Sequence, residues 1–152
     1  MVNLHLDKRL FTPKFFPLLL DYTHRFEFYM GSAGSAKSYF ITQKLIIRAI
    51  NEPIRILVCR RYGTTIRNSV FSLFKEIIAK WKLTPFVKVN ESDFRITFLH
   101  NNSEILFTGL DDETKLLSLN NIGCVFVEEV FECDRDIVEQ LNLRMRGKTL
   151  NQ

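Results

Sequence analysis

The sequence predicts an α/β fold, a mostly parallel sheet flanked by helices with a β-hairpin inserted into it. Three observations predict it. The octapeptide Gly31-Ser32-Ala33-Gly34-Ser35-Ala36-Lys37-Ser38 stands between an apolar run, Phe26-Glu27-Phe28-Tyr29-Met30, and a stretch whose apolar residues recur at helical spacing. The runs Ile54 to Cys59 and Gly123 to Val127 are nearly continuous in apolar character, as parallel strands covered on both faces should be. Finally, 152 residues suffice for one domain with a substantial core and fall short of two ordinary ones.

Taken in order, Phe26 to Met30 is expected to be the strand that delivers the octapeptide. The first helix should run from about Ala36 to Ile50 and stop before Pro53, which disfavours helix in the residue ahead of it. Ile54 to Cys59 follows as a buried strand. Thr64 or Thr65 can cap a second helix, in which Ile66, Val70, Phe74, Ile78 and Trp81 form a stripe that packs into the core. Phe94, Ile96 and Phe98 alternate with polar residues, Asn101-Asn102 supplies a turn, and Ile105 to Thr108 returns as the second strand of the hairpin. After the strand Gly123 to Val127, a last helix from Asp134 to Arg146 carries Ile137, Leu141 and Met145 on one face.

Composition narrows the class. No stretch approaches the roughly 20 apolar residues of a membrane span, and the start of the chain lacks a small-residue cleavage site, so neither a membrane partner nor secretion is expected. Cys59, Cys124 and Cys133 are odd in number with no C-x-x-C spacing, which reads as reduced core residues of a cytosolic protein. His5, His24 and His100 are far apart and offer no zinc spacing. The net charge of +4 and pI of about 9.1 are compatible with a nucleic-acid partner without deciding it. The charge is clustered, with Arg55, Arg60, Arg61 and Arg67 after the first helix and Arg144, Arg146 and Lys148 at the end.

The octapeptide follows the pattern G-x-x-x-x-G-K-[ST], with Ala36 in place of the second glycine. A loop from a strand into a helix can aim the backbone N–H groups of Gly31 to Ser38 at phosphate oxygens, while Lys37 reaches the terminal phosphates and Ser38 coordinates magnesium. If Ala36 must adopt positive φ, it costs about 1–2 kcal/mol. The plain alternative is a Gly/Ser turn whose serine caps a helix. Glu128 and Glu129 follow a buried strand at its C-terminal end, the edge at which open α/β sheets bind ligands. Such a pair alone is more often a solvated strand end. Beside a phosphate loop it favours ATP hydrolysis, with Glu128 holding the magnesium shell and Glu129 orienting the attacking water.

With these motifs in place, most of the chain resembles the ATPase domain of phage terminase large subunits. The resemblance includes Gly31 to Ser38, Leu57-Val58-Cys59-Arg60-Arg61, Asn68-Ser69-Val70-Phe71, Phe107-Thr108-Gly109-Leu110-Asp111-Asp112, Val125-Phe126-Val127-Glu128-Glu129 and Leu143-Arg144-Met145-Arg146. It lies in the branch whose second acidic motif ends in Glu-Glu. The resemblance implies a P-loop NTPase of the ASCE type that uses ATP and Mg2+, with Lys37 and Ser38 on phosphate and metal, Glu128 supporting the metal and Glu129 activating water. It also implies a motor that packages double-stranded DNA in the host cytoplasm, as a homo-oligomeric ring working with a small terminase subunit and a portal or procapsid. Many relatives place arginine in the loop four positions before its lysine, where this chain has Ala33. Arg60, Arg61, Arg144 and Arg146 are the candidates to supply that charge.

The family's nuclease domain has no room here, and its coupling strand, which inserts between the phosphate-loop strand and the acidic-pair strand, would start beyond Gln152. Residues 1–152 are therefore expected to be a single truncated P-loop ATPase domain, incomplete at the C-terminus, with weak or absent turnover alone. The phosphate-loop strand and the Val125 strand then pair directly, borrow a strand from another copy, or leave unpaired edges. Two other readings stand: another P-loop DNA motor, such as a helicase or recombination ATPase, and a nucleotide-dependent binding module without turnover.

Overall fold

Everything in the computed structural model is arranged around β1 (Arg55–Arg60), whose four middle residues are buried. The structure describes residues 6–111, 116 and 118–147, so His5, Asp112 and Lys148 lie outside the described residues. Strand β1 pairs in parallel with β4 (Glu104–Gly109) on one side and with β5 (Cys124–Val127) on the other. Strands β2 (Val87–Asn90) and β3 (Arg95–Phe98) extend the sheet antiparallel beyond β4, giving the order β2-β3-β4-β1-β5.

The continuous apolar runs exist because both faces are covered. Ile56 and Val58 point with Ile105, Phe107, Cys124 and Phe126 into a core shared with α1 (Lys37–Asn51) and α2 (Ser72–Lys80). The alternate residues Leu57 and Cys59 join Leu106, Val125 and Val127 in a second cluster, closed by Leu141 of α3 (Arg135–Arg144). The stripe Ile66, Val70, Phe74, Ile78 and Trp81 is buried throughout.

Several expectations need correction. Phe26 to Met30 forms no strand. A strand needs a neighbour for its backbone, and among the described strands β5 pairs only with β1, so its outer edge does not receive this segment. The segment stays extended, with Phe26, Phe28 and Met30 exposed by 52%, 76% and 94%. Among the described residues, the outer edge of β5 has no partner strand, so the direct pairing of the two strands is not formed.

Neither Thr64 nor Thr65 caps the second helix. Thr65 Oγ1 instead donates to Tyr62 O at 2.9 Å. The chain enters α2 through a 3₁₀ turn (Gly63–Thr65) and a widened turn (Arg67–Phe71) kinked at Ser69, where φ is −112° and ψ −106°. The kink at Ser69 falls between Ile66 and Val70, and both of these residues are buried. Strand β2 adds a third antiparallel member to the expected hairpin. Phe94 sits in the β2–β3 turn with φ 48°, and Met145 falls just past the end of α3.

Candidate nucleotide site

Helix α1 fixes where residues 31–38, the expected phosphate loop, sit. The turn between β3 and β4 caps its C-terminal end: Asn101 Nδ2 donates to Ala49 O at 2.9 Å, Ser103 Oγ donates to the same carbonyl, and His100 Nε2 lies 2.8 Å from Ile50 O. These contacts satisfy carbonyls that a helix end leaves free. They also place the end of α1 at the start of β4. Fifteen residues make α1 about 22 Å long, so its N-terminus lies at the opposite edge, where the parallel strands β1, β4 and β5 finish.

At that N-terminus Ala36 is left-handed, with φ 61° and ψ 16°, and Gly34 has φ +76°. Residues of alternating hand form a concavity suited to an anion. Lys37 Nζ donates to Gly31 O at 2.6 Å, Ser32 O at 2.9 Å and Ser35 Oγ at 2.9 Å. Its ammonium thus closes on its own loop. Ser38 follows in the first turn of α1.

The acidic pair ends β5. Glu128 N donates to Cys59 O at 2.9 Å, continuing the ladder to β1, and Glu129 then turns the chain in a left-handed conformation, φ 56° and ψ 48°. Arg60, one residue beyond the Cys59↔Val127 pair, reaches both acids. Its guanidinium pairs with Glu129, and its Nε lies 3.6 Å from Glu128 Oε2, an ion pair too long for a hydrogen bond. Arg60 Nε and Glu128 Oε2 are both buried without a hydrogen-bond partner.

Residues 31–38 and the acids therefore share a sheet edge, although no hydrogen bond or ion pair among the described residues joins 31–38 to Glu128 or Glu129. Of the four arginines offered for transition-state charge, Arg60 occupies the acids. Arg61 pairs with Asp134 at 3.3 Å, Arg146 Nε donates to Leu143 O at 3.0 Å, and Arg144 closes α3.

Sequence reasoning missed a second cluster beside the loop. Lys44 Nζ donates to Glu27 Oε2 at 2.6 Å and lies 3.4 Å from the Tyr29 hydroxyl, which itself donates to Glu27. Burial and the adjoining Glu27 carboxylate push the Tyr29 hydroxyl well above the usual phenol range. Tyr22 Oη donates to Lys44 O at 3.2 Å, with Arg48 4.8 Å from its ring centroid. A cavity of about 200 Å³ opens against this cluster, lined by Leu18, Asp21, His24, Phe26, Glu27, Phe28, Tyr29 and Lys44. The available signal was Lys44 itself, a lysine two helical turns after Lys37 and on the same face.

Comparison with known proteins agrees with this architecture. The family model described as phage terminase large subunit matches residues 23–152. The chain is 34% identical over 138 residues to the PBSX phage terminase large subunit of Bacillus subtilis (strain 168), covering 91% of this chain and 32% of that protein. It is likewise 34% identical over 106 residues to the terminase large subunit of Bacillus phage SPP1, covering 67% and 25%. Among solved structures, the large terminase of a thermophilic bacteriophage superposes with a TM-score of 0.64 at 18% identity, over 80% of this chain and 30% of that one. The same thermophilic phage protein has also been solved with ATP-gamma-S and with ADP. The chain thus spans at most about a third of the length of these curated relatives, and it belongs to the phage terminase large subunit family.

Proposed function

We propose that this chain is the ATP-hydrolysing part of a motor that drives double-stranded DNA into a procapsid. The observation that carries the reading is the common sheet edge of the phosphate loop and the acidic pair. The nucleotide complexes of the thermophilic phage terminase support ATP as the ligand. Lys37 would exchange Gly31 O, Ser32 O and Ser35 Oγ for phosphate oxygens, which are stronger partners for an ammonium.

The residues present suit magnesium. Glu128 Oε2 is a buried carboxylate oxygen with no hydrogen bond, and Ser38 opens α1 beside Lys37, so Glu128 and Ser38 would hold the ion. When bound, it would neutralise charge on the phosphates. Glu129 would orient the attacking water and accept its proton, and the Arg60 charge paired with its Oε2 opposes that transfer. Turnover by the chain alone is accordingly slow. In the whole protein the partners would be a small terminase subunit, a portal and further copies in a ring, in the host cytoplasm.

Glu129→Gln tests the reading. Turnover should fall by about 10²–10⁴-fold while the affinity for a fluorescent ATP analogue stays within about threefold. Unchanged turnover would remove Glu129 from its role. The Arg60 pairing favours one second reading, a module that holds ATP without hydrolysing it. A wild-type chain that binds the analogue but releases no phosphate, with or without DNA, would select that reading.

A further inference from the structure

The segment leading into the phosphate loop lacks the support that a sheet would give it. Residues 26–30 belong to no strand, and the apolar side chains of one face are exposed. Two lysines of α1 hold this segment instead. Lys37 takes its end, at Gly31 O, and Lys44 takes its beginning, at Glu27. The two lysines are seven residues apart, so they lie on the same helix face about 10 Å from one another. Glu27 and Gly31 are about 13 Å apart along an extended chain, so the segment lies along α1 with one lysine at each end.

The anchors differ in kind. All three acceptors of Lys37 belong to the loop it must leave to meet a phosphate. Lys44 is only 6% exposed, its Glu27 partner is 25% exposed, and the Tyr29 hydroxyl closes the pair while the Tyr29 ring packs edge-on against Phe40 at 5.3 Å. Nothing in the phosphate chemistry calls on that contact. We propose that Lys44 is a positioning residue for nucleotide binding, a second anchor that keeps the loop registered on α1 while Lys37 turns to the phosphates. The proposal rests on the nucleotide-binding reading above.

Hydrogen exchange of the Ser35 amide, which donates to Ser32 O at 3.3 Å, tests the anchor without nucleotide and independently of that reading. Unaltered chain, Lys37→Ala, Lys44→Met and the double variant form a cycle. Each single variant should speed exchange by less than about threefold, and the double by at least about tenfold more than their product. Multiplicative effects would overturn the proposal. With a fluorescent ATP analogue, Lys44→Met should weaken binding about tenfold, Glu27→Gln should shift it in the same direction, and Lys44→Arg should restore it to within about threefold. Wild-type affinity in both Lys44→Met and Glu27→Gln would also overturn the proposal. If the unaltered chain binds no nucleotide, the reading beneath fails, and the exchange cycle alone decides whether Lys44 anchors the loop.

Discussion

Replacing Arg60 with methionine keeps the length of the stem and removes the charge that faces Glu128 and Glu129. The arginine side chain is 15% exposed, Glu128 14% and Glu129 41%. Breaking a fully buried pair costs about 3–5 kcal/mol, because it strands the remaining charge. Water reaches Glu129 and screens part of that loss, leaving about 1–3 kcal/mol. For a chain of this length the melting temperature should then fall by roughly 3–10 °C. Far-UV circular dichroism during thermal unfolding measures it. A second scan with millimolar magnesium should recover more of the loss in Arg60→Met than in the unaltered chain, since the stranded carboxylates gain a cation. A melting temperature within about 1 °C of wild type, insensitive to magnesium, would refute the claim that Arg60 neutralises the acids.

Other expectations follow from the same geometry. A Cβ on Gly109 would lie 2.1 Å from Asp111 Oδ1 and 2.3 Å from Gly63 N, whereas one on Gly63 meets nothing closer than 3.4 Å. Gly109→Ala should therefore destabilise by about 1–3 kcal/mol and Gly63→Ala by less than about 0.5, as read from denaturant midpoints. Desolvation pushes the fully buried Cys59 thiol far above its ordinary range, so the native state keeps a proton that the unfolded chain releases. Its contribution is complete below about pH 8.5 and is lost as pH rises further, reaching about 2 kcal/mol by pH 10. Cys59→Ala should flatten that alkaline slope in urea titrations. Ala36→Gly relieves a left-handed alanine worth about 1–2 kcal/mol but frees the unfolded chain by about 0.4–1, so a net gain of about 0–1.6 kcal/mol is expected, and a loss would argue against the φ of 61°.

Sequence legibility followed locality. Ile56 to Cys59 and Cys124 to Val127 were readable because burial on both faces writes itself into consecutive residues. The motif raised a left-handed Ala36 only as a condition, and the structure meets that condition with φ 61°. Phe26 to Met30 misled because a strand pattern is local while pairing is not: its residues alternate correctly, with Glu27 and Tyr29 turned to α1, yet no strand lies beside it among the described residues. Strand β2 escaped notice because Val87 to Asn90 is a short edge with Lys88 exposed. The destination of Arg60 was hidden for the same reason as the missing pairing. Only the parallel register of β1 and β5, which sets Cys59 against Val127, brings Arg60 beside Glu128.

That register puts stability and chemistry in opposition. If Glu129 takes a proton from water as proposed, its pairing with Arg60 is a contact that opposes that step. If the pair is worth about 1–3 kcal/mol, the same free energy opposes the productive state, a factor of about 5–150 in its population. Nucleotide and metal can supply it only through contacts made more strongly in the state with Glu129 released. Arg60→Met should accordingly bring two opposite effects in one variant. The fold weakens, while the affinity for magnesium and nucleotide rises by up to the same factor. A variant that loses both together would mean that Arg60 shapes the site and does not restrain it.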